Sequence, residues 1–468
     1  MSVASEITRI KNNIANAYTA INSKGGTLPQ TQNSANLATA INSISGGGSG
    51  SIQVINGIIE QYKASNQTIS ANSFVQFIGD TQLVKNTSGA SVYENIVAVK
   101  VSSDKVFVVH RSGNNLNAII CTINGTTIIP GTDIVIVNGG SGIFAYSNAS
   151  AQLIDTNKVF VAHRYGSDMM GVVCDISGTT ITVGTDTLLV SGNSAGHVIS
   201  TTLVETNKVF IAHRKGNALN GVVCTISGIT ITTGTDTELV SGTSVYTGAI
   251  AQLIDTNKVL ITHRGTTTAL LNGVVCTIND TTITAGADTE LVSGSNAYGN
   301  ASIVAISTNK AFISHRNGSY LYGIICTINN TTITVGTDTQ LTNESNSYTN
   351  AFAILAGTNK VFIAHRSIND NLYGLLCTID NATITVDTDT KIAEGISVYV
   401  NSSVVLVDTN KVFIAHRNDD DLYGIVFKIN GTNIEDMITI VPSSTKIEGL
   451  LATQATENSA GNVWVLNS

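Results

Sequence analysis

Charged residues, prolines and tryptophan are scarce in this chain of 468 residues. Only 12% of the residues are charged and three are proline, which is typical of a packed β-rich protein and not of a disordered one. The net charge of −8 argues against binding nucleic acid through a general positive field. The six cysteines show no CxxC or Cys-His spacing, so we expect no metal and no cofactor.

Two kinds of apolar segment are also missing. The N-terminal stretch MSVASEITRI contains a glutamate and an arginine, where a secretory signal needs an apolar core of about 7 to 15 residues. No stretch approaches the roughly 18 consecutive apolar residues of a membrane span. We therefore expect synthesis in the cytoplasm without a signal peptide, and release by lysis or within an assembled particle.

A motif of the form TNKVFIAHR recurs seven times. The intervals between its lysines are 53, 50, 50, 52, 50 and 51 residues. A period of about 50 residues with only short apolar runs indicates a four-stranded propeller blade and not a helical solenoid. The motif lysines are Lys105, Lys158, Lys208, Lys258, Lys310, Lys360 and Lys411.

The repeat around Lys258 illustrates the predicted blade. Neighbouring blades stack face to face, so each strand should be apolar on both faces. The chain is therefore expected to be an all-β, seven-bladed β-propeller. The predicted strands A to D span Ile250 to Asp255, Lys258 to His263, Gly273 to Ile278, and Thr282 to Val292 with a break at Gly286.

The two ends of the repeat region must close the ring. The stretch Ser73 to Val84 (SFVQFIGDTQLV) is similar to strand D of the repeats, and residues 447–466 predict two further strands. A strand borrowed from the opposite terminus would remove the open edges. We expect residues 52–468 to form the propeller; the alternative is a chimeric eighth blade built from residues 52–84 and 445–467.

Residues 1–45 have a helical pattern and are followed by a Gly/Ser linker at residues 46–51. Apolar residues at 3, 4, 3, 4 spacing predict a short coiled-coil seam, and isoleucine in both seam positions favours trimers or higher states. The alternative is a helical hairpin docked on its own chain. The seam consists of Ile7, Ile10, Ile14, Ala17 and Ile21.

Recognition is expected on the face that carries the loops between strands B and C. These loops differ in every repeat, whereas the A-to-B turns are nearly constant (DTN, ETN, STN, GTN), and variation on a shared scaffold marks a binding surface. The loops of repeats five to seven add aromatic surface for a ligand. The aromatic residues are Tyr320, Tyr322, Tyr373 and Tyr423.

A second tyrosine series lies on the same predicted face. A tyrosine stands twelve residues before the motif lysine in six repeats, and only the third repeat differs, with Gly196 followed by His197. Such a ring suits stacking and hydrogen bonding to sugars, although packing at the top of each blade explains it equally well. The tyrosines are Tyr93, Tyr146, Tyr246, Tyr298, Tyr348 and Tyr399.

Histidine, arginine and cysteine recur once in most or all repeats, which favours structural roles. Each motif arginine is expected to pair with the aspartate that opens the outer strand, as Arg264 would with Asp288. The six cysteines are expected to be buried free thiols, because Phe427 takes their place in the last repeat.

The segment SEITRIKNNIANAYTAINSKGGTLPQTQNSANLATAI resembles the attachment segment of many tail and baseplate proteins from phages of Gram-positive bacteria. The repeats TNKVFIAHR and TITVGTDTELVSG are similar to propeller repeats in tail-fibre and receptor-binding proteins of such phages and of phage-tail-like bacteriocins. The resemblance implies a virion protein, attached to other tail or baseplate proteins through residues 1–45. It carries no catalytic motif that can be transferred, and fold alone does not fix activity.

The leading hypothesis is a tail-fibre or receptor-binding protein whose propeller binds a glycan or protein on the bacterial surface, with no enzymatic activity. One alternative is a purely structural tail-tip or baseplate component. A second is a glycan-degrading enzyme, which needs a pair of carboxylates at a suitable separation; the repeats single out no such pair.

The isoleucine seam predicts a homotrimer. Light scattering of the full chain should give about three times the mass of one chain, and deletion of residues 1–45 should give monomers. A monomeric full-length chain would contradict the seam.

Overall fold

The computed structural model describes most of the chain between its two ends. The described residues are 3–23, 28–42, 59–64, 75–78, 81–84, 95–139, 148–192, 198–242, 248–264, 270–293, 299–342, 351–366, 371–393, 402–418, 421–431, 433–435, 439–442, 450–452 and 460–465.

The repeats form seven antiparallel sheets with strand order A-B-C-D, so the predicted seven-bladed propeller is confirmed. Strand A spans Val97–Ser102, Ala149–Asp155, Ile199–Glu205, Ile250–Asp255, Gly299–Ser307, Phe352–Leu355 and Ser402–Asp408 in blades one to seven. Strand B spans Lys105–Ser112, Lys158–Tyr165, Lys208–Lys215, Lys258–Arg264, Lys310–Asn317, Lys360–Arg366 and Lys411–Asn418. Strand C spans Asn115–Asn124, Asp168–Ser177, Ala218–Ser227, Leu271–Asn279, Tyr320–Asn329, Leu372–Asp380 and Asp421–Asn430.

Strand D is divided into two short strands, D1 and D2, in every blade except the sixth. D1 spans Thr127–Pro130, Thr180–Val183, Thr230–Thr233, Thr282–Ala285 and Thr332–Val335 in blades one to five, and Asn433–Glu435 in blade seven. D2 spans Ile134–Val137, Thr187–Val190, Thr237–Val240, Thr289–Val292 and Thr339–Gln340 in blades one to five. In blade six a single strand D runs through Thr383–Ala393.

The break in strand D depends on glycine at a close approach between blades. In blade four, a Cβ on Gly286 would lie 2.9 Å from the Val275 carbonyl oxygen and 2.9 Å from Cβ of Thr331 in blade five. The Gly286 backbone N–H donates to that same carbonyl at 2.9 Å. The break predicted at Gly286 is therefore confirmed, and a larger residue there would have to displace the neighbouring blade.

Blades pack face to face through strand B. In blade three, the five residues after Lys208 are all fully buried, and their side chains alternate between the two neighbouring cores: Phe210 packs toward blade four, whereas Val209 packs toward blade two. Seven such cores lie between consecutive blades. Each core contains one repeat cysteine or Phe427, so the predicted buried slot is confirmed.

The six free cysteines are buried. Burial raises the pKa of every one of these thiols to about 12. Since the thiolate is the reactive form, these cysteines belong to the packing of the scaffold.

The ring is closed by a strand from the N-terminal side. Thr81–Val84 supplies strand D2 of blade seven, with Thr81 opposite Gly424 just as Thr237 stands opposite Gly221 in blade three. Its Leu83 packs with Ile96 and Ala98 of blade one. Blade one therefore packs directly on blade seven, and the ring has seven blades without a chimeric eighth.

Polar contacts also join successive blades. Four strand-A serines accept a backbone N–H from strand A of the next blade, for example Ser403 from Ala98 at 2.9 Å across the closure. The other three pairs are Ser150 with Thr201, Ser200 with Ala251, and Ser302 with Ala353. Some motif lysines reach the next blade as well: Lys208 Nζ lies 2.8 Å from the Asp280 carboxylate.

The chain divides into two compact units, the propeller at Gly79–Met437 and a second unit at Met1–Ile78 with Ile438–Ser468. The second unit contains helices α1 (Val3–Ser23) and α2 (Ser34–Asn42). It also contains a five-stranded sheet in the order Val75–Ile78, Thr439–Pro442, Ile59–Ala64, Ala460–Val465, Leu450–Ala452. No helix in the described part of the chain is long and apolar enough to cross a membrane.

The helices α1 and α2 form a hairpin. Tyr18 is fully buried between them, and its hydroxyl donates to the Asn33 carbonyl oxygen at 2.7 Å. Ile14 and Ile21 pack with Leu37 of α2, as the hairpin alternative requires. The side chains of Ile7 and Ile10 lie outside the described residues, and the homotrimer stays a prediction.

Replacing Leu83 by Ala should lower the free energy of unfolding by about 2 to 5 kcal/mol, because the cavity lies in the core that joins the first and last blades. Leu188→Ala in strand D2 of blade two is the matched control, since Leu188 is 49% exposed. Urea unfolding measures both. Equal losses from the two variants would contradict closure by Thr81–Val84.

Candidate functional site

Each of the first six blades contains a hydrogen bond between the motif histidine and an aspartate before strand D2 or within strand D. Nε2 of the histidine lies 2.8 to 3.0 Å from Oδ1 of the aspartate. The histidine side chains are fully buried. The pairs are His110 with Asp133, His163 with Asp186, His213 with Asp236, His263 with Asp288, His315 with Asp338, and His365 with Asp389.

The prediction that the motif arginine pairs with this aspartate is wrong. Successive residues of a strand point to opposite faces of the sheet, so histidine and arginine cannot both face the aspartate. The arginine instead fixes the turn after strand B: Arg111 Nε donates to the Gly113 carbonyl oxygen at 2.9 Å. Arg164, Arg214 and Arg316 do the same in their blades.

The aspartate is held in its charged form most strongly in blade three. Burial alone would raise the pKa of the Asp236 carboxyl, but hydrogen bonds from His213 and Lys215 outweigh this effect and lower it to about 2. In blade four the pKa of Asp288 is also lowered, by its hydrogen bond from His263 against the effect of burial. These carboxylates therefore stabilise the folded chain at neutral pH.

The residue opposite the histidine on strand C changes around the ring. In blades one, three and four an asparagine donates to the aspartate, for example Asn117 Nδ2 to Asp133 at 2.9 Å. Blade two has Met170. In blades five, six and seven a tyrosine stacks on the histidine with ring centroids 5.8 to 6.0 Å apart. The stacked pairs are His315 with Tyr322, His365 with Tyr373, and His416 with Tyr423.

The prediction that these tyrosines lie in loops is wrong. Strands B and C are joined by a turn of only two residues where it is described, as at residues 318–319, so the variable string is largely strand C itself. Tyr320 begins strand C of blade five opposite Asn317. Tyr322, Tyr373 and Tyr423 contribute to packing as well as to surface.

The other predicted tyrosine series cannot be placed in this geometry. His197, Tyr93, Tyr146, Tyr246, Tyr298, Tyr348 and Tyr399 lie outside the described residues.

A groove of about 400 Å³ opens between the outer strands of blades five and six. Blade five contributes Gln340 and the buried Thr342, and blade six contributes Tyr373, Asp387 and Asp389. The groove therefore combines one aromatic ring with amide, hydroxyl and carboxylate groups. One of the predicted ligand tyrosines, Tyr373, lines it.

Asp387 is a departure from the repeat. Blades one to five have glycine at this position, where strand D is broken, and blade six has an unbroken strand D. Oδ2 of Asp387 is buried and has no hydrogen-bond partner among the described residues. The glycines are Gly131, Gly184, Gly234, Gly286 and Gly336.

Sequence reasoning missed Asp387 although the signal is visible. Aligning the repeats sets VDTDT of blade six against VGTDT of blades two and five, which singles out one extra carboxylate beside the repeated Asp389. No group of three or more histidine, cysteine, aspartate or glutamate side chains in the described ranges is arranged to hold a metal ion.

No protein-family model matches the sequence, and no curated protein matches it either. Solved structures match at the level of fold. A protein from Lactobacillus plantarum is 10% identical with a TM-score of 0.49, covering 84% of this chain and 99% of that one. The six-bladed fucose-recognising lectin of Aleuria aurantia is 12% identical with a TM-score of 0.43, covering 66% of this chain and 98% of the lectin.

The NanB sialidase of Streptococcus pneumoniae, as its K499G mutant, is 9% identical with a TM-score of 0.46, covering 77% of this chain and 71% of the sialidase. Similarity at this level is confined to the fold. The ligand and chemistry of this chain have to be argued from its own residues.

Replacing Asp236 by Asn should lower the free energy of unfolding at neutral pH by up to about 2 kcal/mol. The folded pKa of Asp236 lies below the ordinary aspartate pKa of 3.8, so the stabilisation is complete above that pH and is lost as the pH falls toward 2. The free energy of unfolding, measured with urea from pH 7 to pH 2, should therefore fall less steeply in the variant than in the unmodified chain. The exposed Glu238→Gln in the same outer strand is the control; an identical pH dependence of Asp236→Asn and the unmodified chain would contradict this assignment.

Proposed function

We propose that the chain is a tail-fibre or receptor-binding protein of a phage or phage-tail-like particle. Its propeller binds a glycan of the bacterial surface, and residues 1–45 attach it to other tail or baseplate proteins. The resemblance of residues 5–41 and of the repeats to such proteins supports the virion role. This proposal includes synthesis in the host cytoplasm and assembly into the virion as a homotrimer.

The observation that carries glycan binding is the groove between blades five and six. Sugars are recognised by aromatic surface together with a few convergent polar groups. Tyr373 supplies the ring, and the Gln340 amide and the Asp387 carboxylate supply the polar groups. Gln340 Nε2 donates to the Thr342 carbonyl oxygen at 2.6 Å, which fixes the orientation of this amide. The groove also contains Asp387, where blade six departs from the glycine of five other blades. Its polar groups are therefore not all determined by the packing that the blades share.

We propose binding without cleavage. Glycoside hydrolysis generally needs two carboxylates with separate roles. Asp389 accepts from the buried His365 at 2.9 Å, as the equivalent aspartate does in five other blades, so its role is structural. This leaves Asp387 as the one additional carboxylate of the groove.

The second candidate is a structural tail-tip component that binds another virion protein. It is favoured by apolar residues on the outer strands of blades one and two: Ile129, Val135 and Leu188 are 53%, 47% and 49% exposed. Apolar surface of this kind marks protein contacts when it is contiguous. Such a protein would assemble into the particle without binding isolated cells.

Fluorescently labelled full chain should bind intact host cells, and periodate oxidation of the cell-surface sugars should abolish the binding. Protease treatment of the cells should leave it unchanged. Binding that survives periodate but not protease would indicate a protein receptor, and no binding to any untreated host cell would favour the structural candidate. Release of reducing sugars by the chain would overturn the proposal of binding without cleavage.

A matched pair of variants tests the groove itself. Gln340 stands opposite Tyr322 in strand D2 of blade five, as Glu290 stands opposite Asn272 in blade four. Gln340→Ala should weaken cell binding roughly fivefold, the value of about one hydrogen bond. Glu290→Ala should leave it unchanged, and equal effects of the two would argue against this groove.

A further inference from the structure

We infer that the groove between blades five and six selects a sugar unit that donates hydroxyl or ammonium hydrogens and carries no anionic group. This inference rests on the proposed glycan binding and specifies its ligand. The shared chemistry is hydrogen-bond donation to carboxylate oxygens. A neutral sugar and an amino sugar can both supply it.

The first step is the direction of hydrogen bonding in the groove. Asp387 and Asp389 both line the groove, and Asp387 lies in the β-bulge where strand D has one extra residue against strand C between Val386 and Asp389. An ionised carboxylate only accepts hydrogen bonds. Both residues line the groove, so a ligand group that meets either carboxylate has to donate.

The second step is the state of the carboxylate oxygens. Oδ1 of Asp389 lies 2.9 Å from His365 Nε2, so this group is already fixed by the scaffold. Oδ2 of Asp387 is buried and has no partner among the described residues. A buried acceptor without a donor is costly, and rotation of the carboxylate toward a ligand hydroxyl or ammonium hydrogen would remove that cost.

The third step is that blade packing does not require Asp387. Five blades pack against their neighbours with glycine at this position, where their strand D is broken, and no described side chain or backbone donor uses the buried oxygen of Asp387. The motif lysine of blade five, Lys310, does not line the groove and instead donates to Asn381 in the turn between strands C and D of blade six. The extra charge therefore acts on whatever enters the groove.

The last step is the exclusion of anionic sugars from the groove. An anionic sugar would place its charge within a few ångströms of two carboxylates in a partly desolvated groove, where like charges repel strongly. A neutral sugar avoids this repulsion, and an ammonium group gains attraction in its place. Uronic acids and other acidic sugars should accordingly be rejected.

The test is an array of oligosaccharides that are neutral, amine-bearing or uronic-acid-bearing, probed with the full chain and with three variants. The unmodified chain should bind only neutral or amine-bearing glycans. Asp387→Gly, which restores the residue of five other blades and should fold normally, should weaken that binding by about tenfold. Asp387→Asn keeps the size of the side chain and should narrow the discrimination against uronic acids.

Asp408→Asn, in the A-to-B turn of blade seven, is the control for removal of a carboxylate and should bind as the unmodified chain does. Binding of a uronic-acid glycan by the unmodified chain would overturn the inference. Undiminished binding by Asp387→Gly would also overturn the inference. If cell attachment is still sensitive to periodate in that case, the proposed function remains supported. Attachment to host cells that resists periodate would overturn both.

Discussion

The burial of strand B on both faces is the constraint on which the rest of the structure depends. A sheet that is apolar on one face can rest against a single partner, but residues such as Val209 and Phe210 point into two different cores. Every blade must therefore have two neighbours, which only a closed ring provides. Closure through Thr81–Val84 meets this requirement, because it completes the last blade and places Leu83 against the first.

A ring built from repeats separates structural residues from functional ones. A residue that recurs in most blades, such as the histidine paired with aspartate, is explained by the packing that all blades share. A residue that occurs once has to be explained locally. Asp387 meets this description, since it replaces a glycine required elsewhere by close packing and leaves a carboxylate oxygen buried without a partner among the described residues. Under the proposed function, recognition through a single junction would allow a symmetric scaffold to bind an asymmetric ligand.

Much of the fold could be predicted from the sequence, because period and alternation report directly on strands. Spacing and substitution alone predict the strands around Lys258, the break at Gly286 and the buried cysteine slot. Of the predicted closing segment Ser73 to Val84, only Thr81–Val84 joins blade seven, whereas Val75–Ile78 pairs with Thr439–Pro442 in the second unit. The contacts between side chains could not be predicted in this way. His213 and Arg214 are adjacent, and only the register with strand D decides which of them meets Asp236. Variation between repeats does not distinguish a strand from a loop, and this is why the sequence wrongly predicts loops at Tyr322, Tyr373 and Tyr423. Asp387 does not stand out in a comparison of recurring residues, because it is the single exception to the glycine of five other blades.

We propose that ligand recognition is confined to the junction between blades five and six. Hydrogen exchange of the full chain, with and without glycan purified from the host cell surface, tests it most directly. Binding should slow exchange at residues 339–342 and 372–389, while the equivalent segments of blades two to four remain unchanged. Protection spread evenly around the ring, or located only in other blades, would contradict the account.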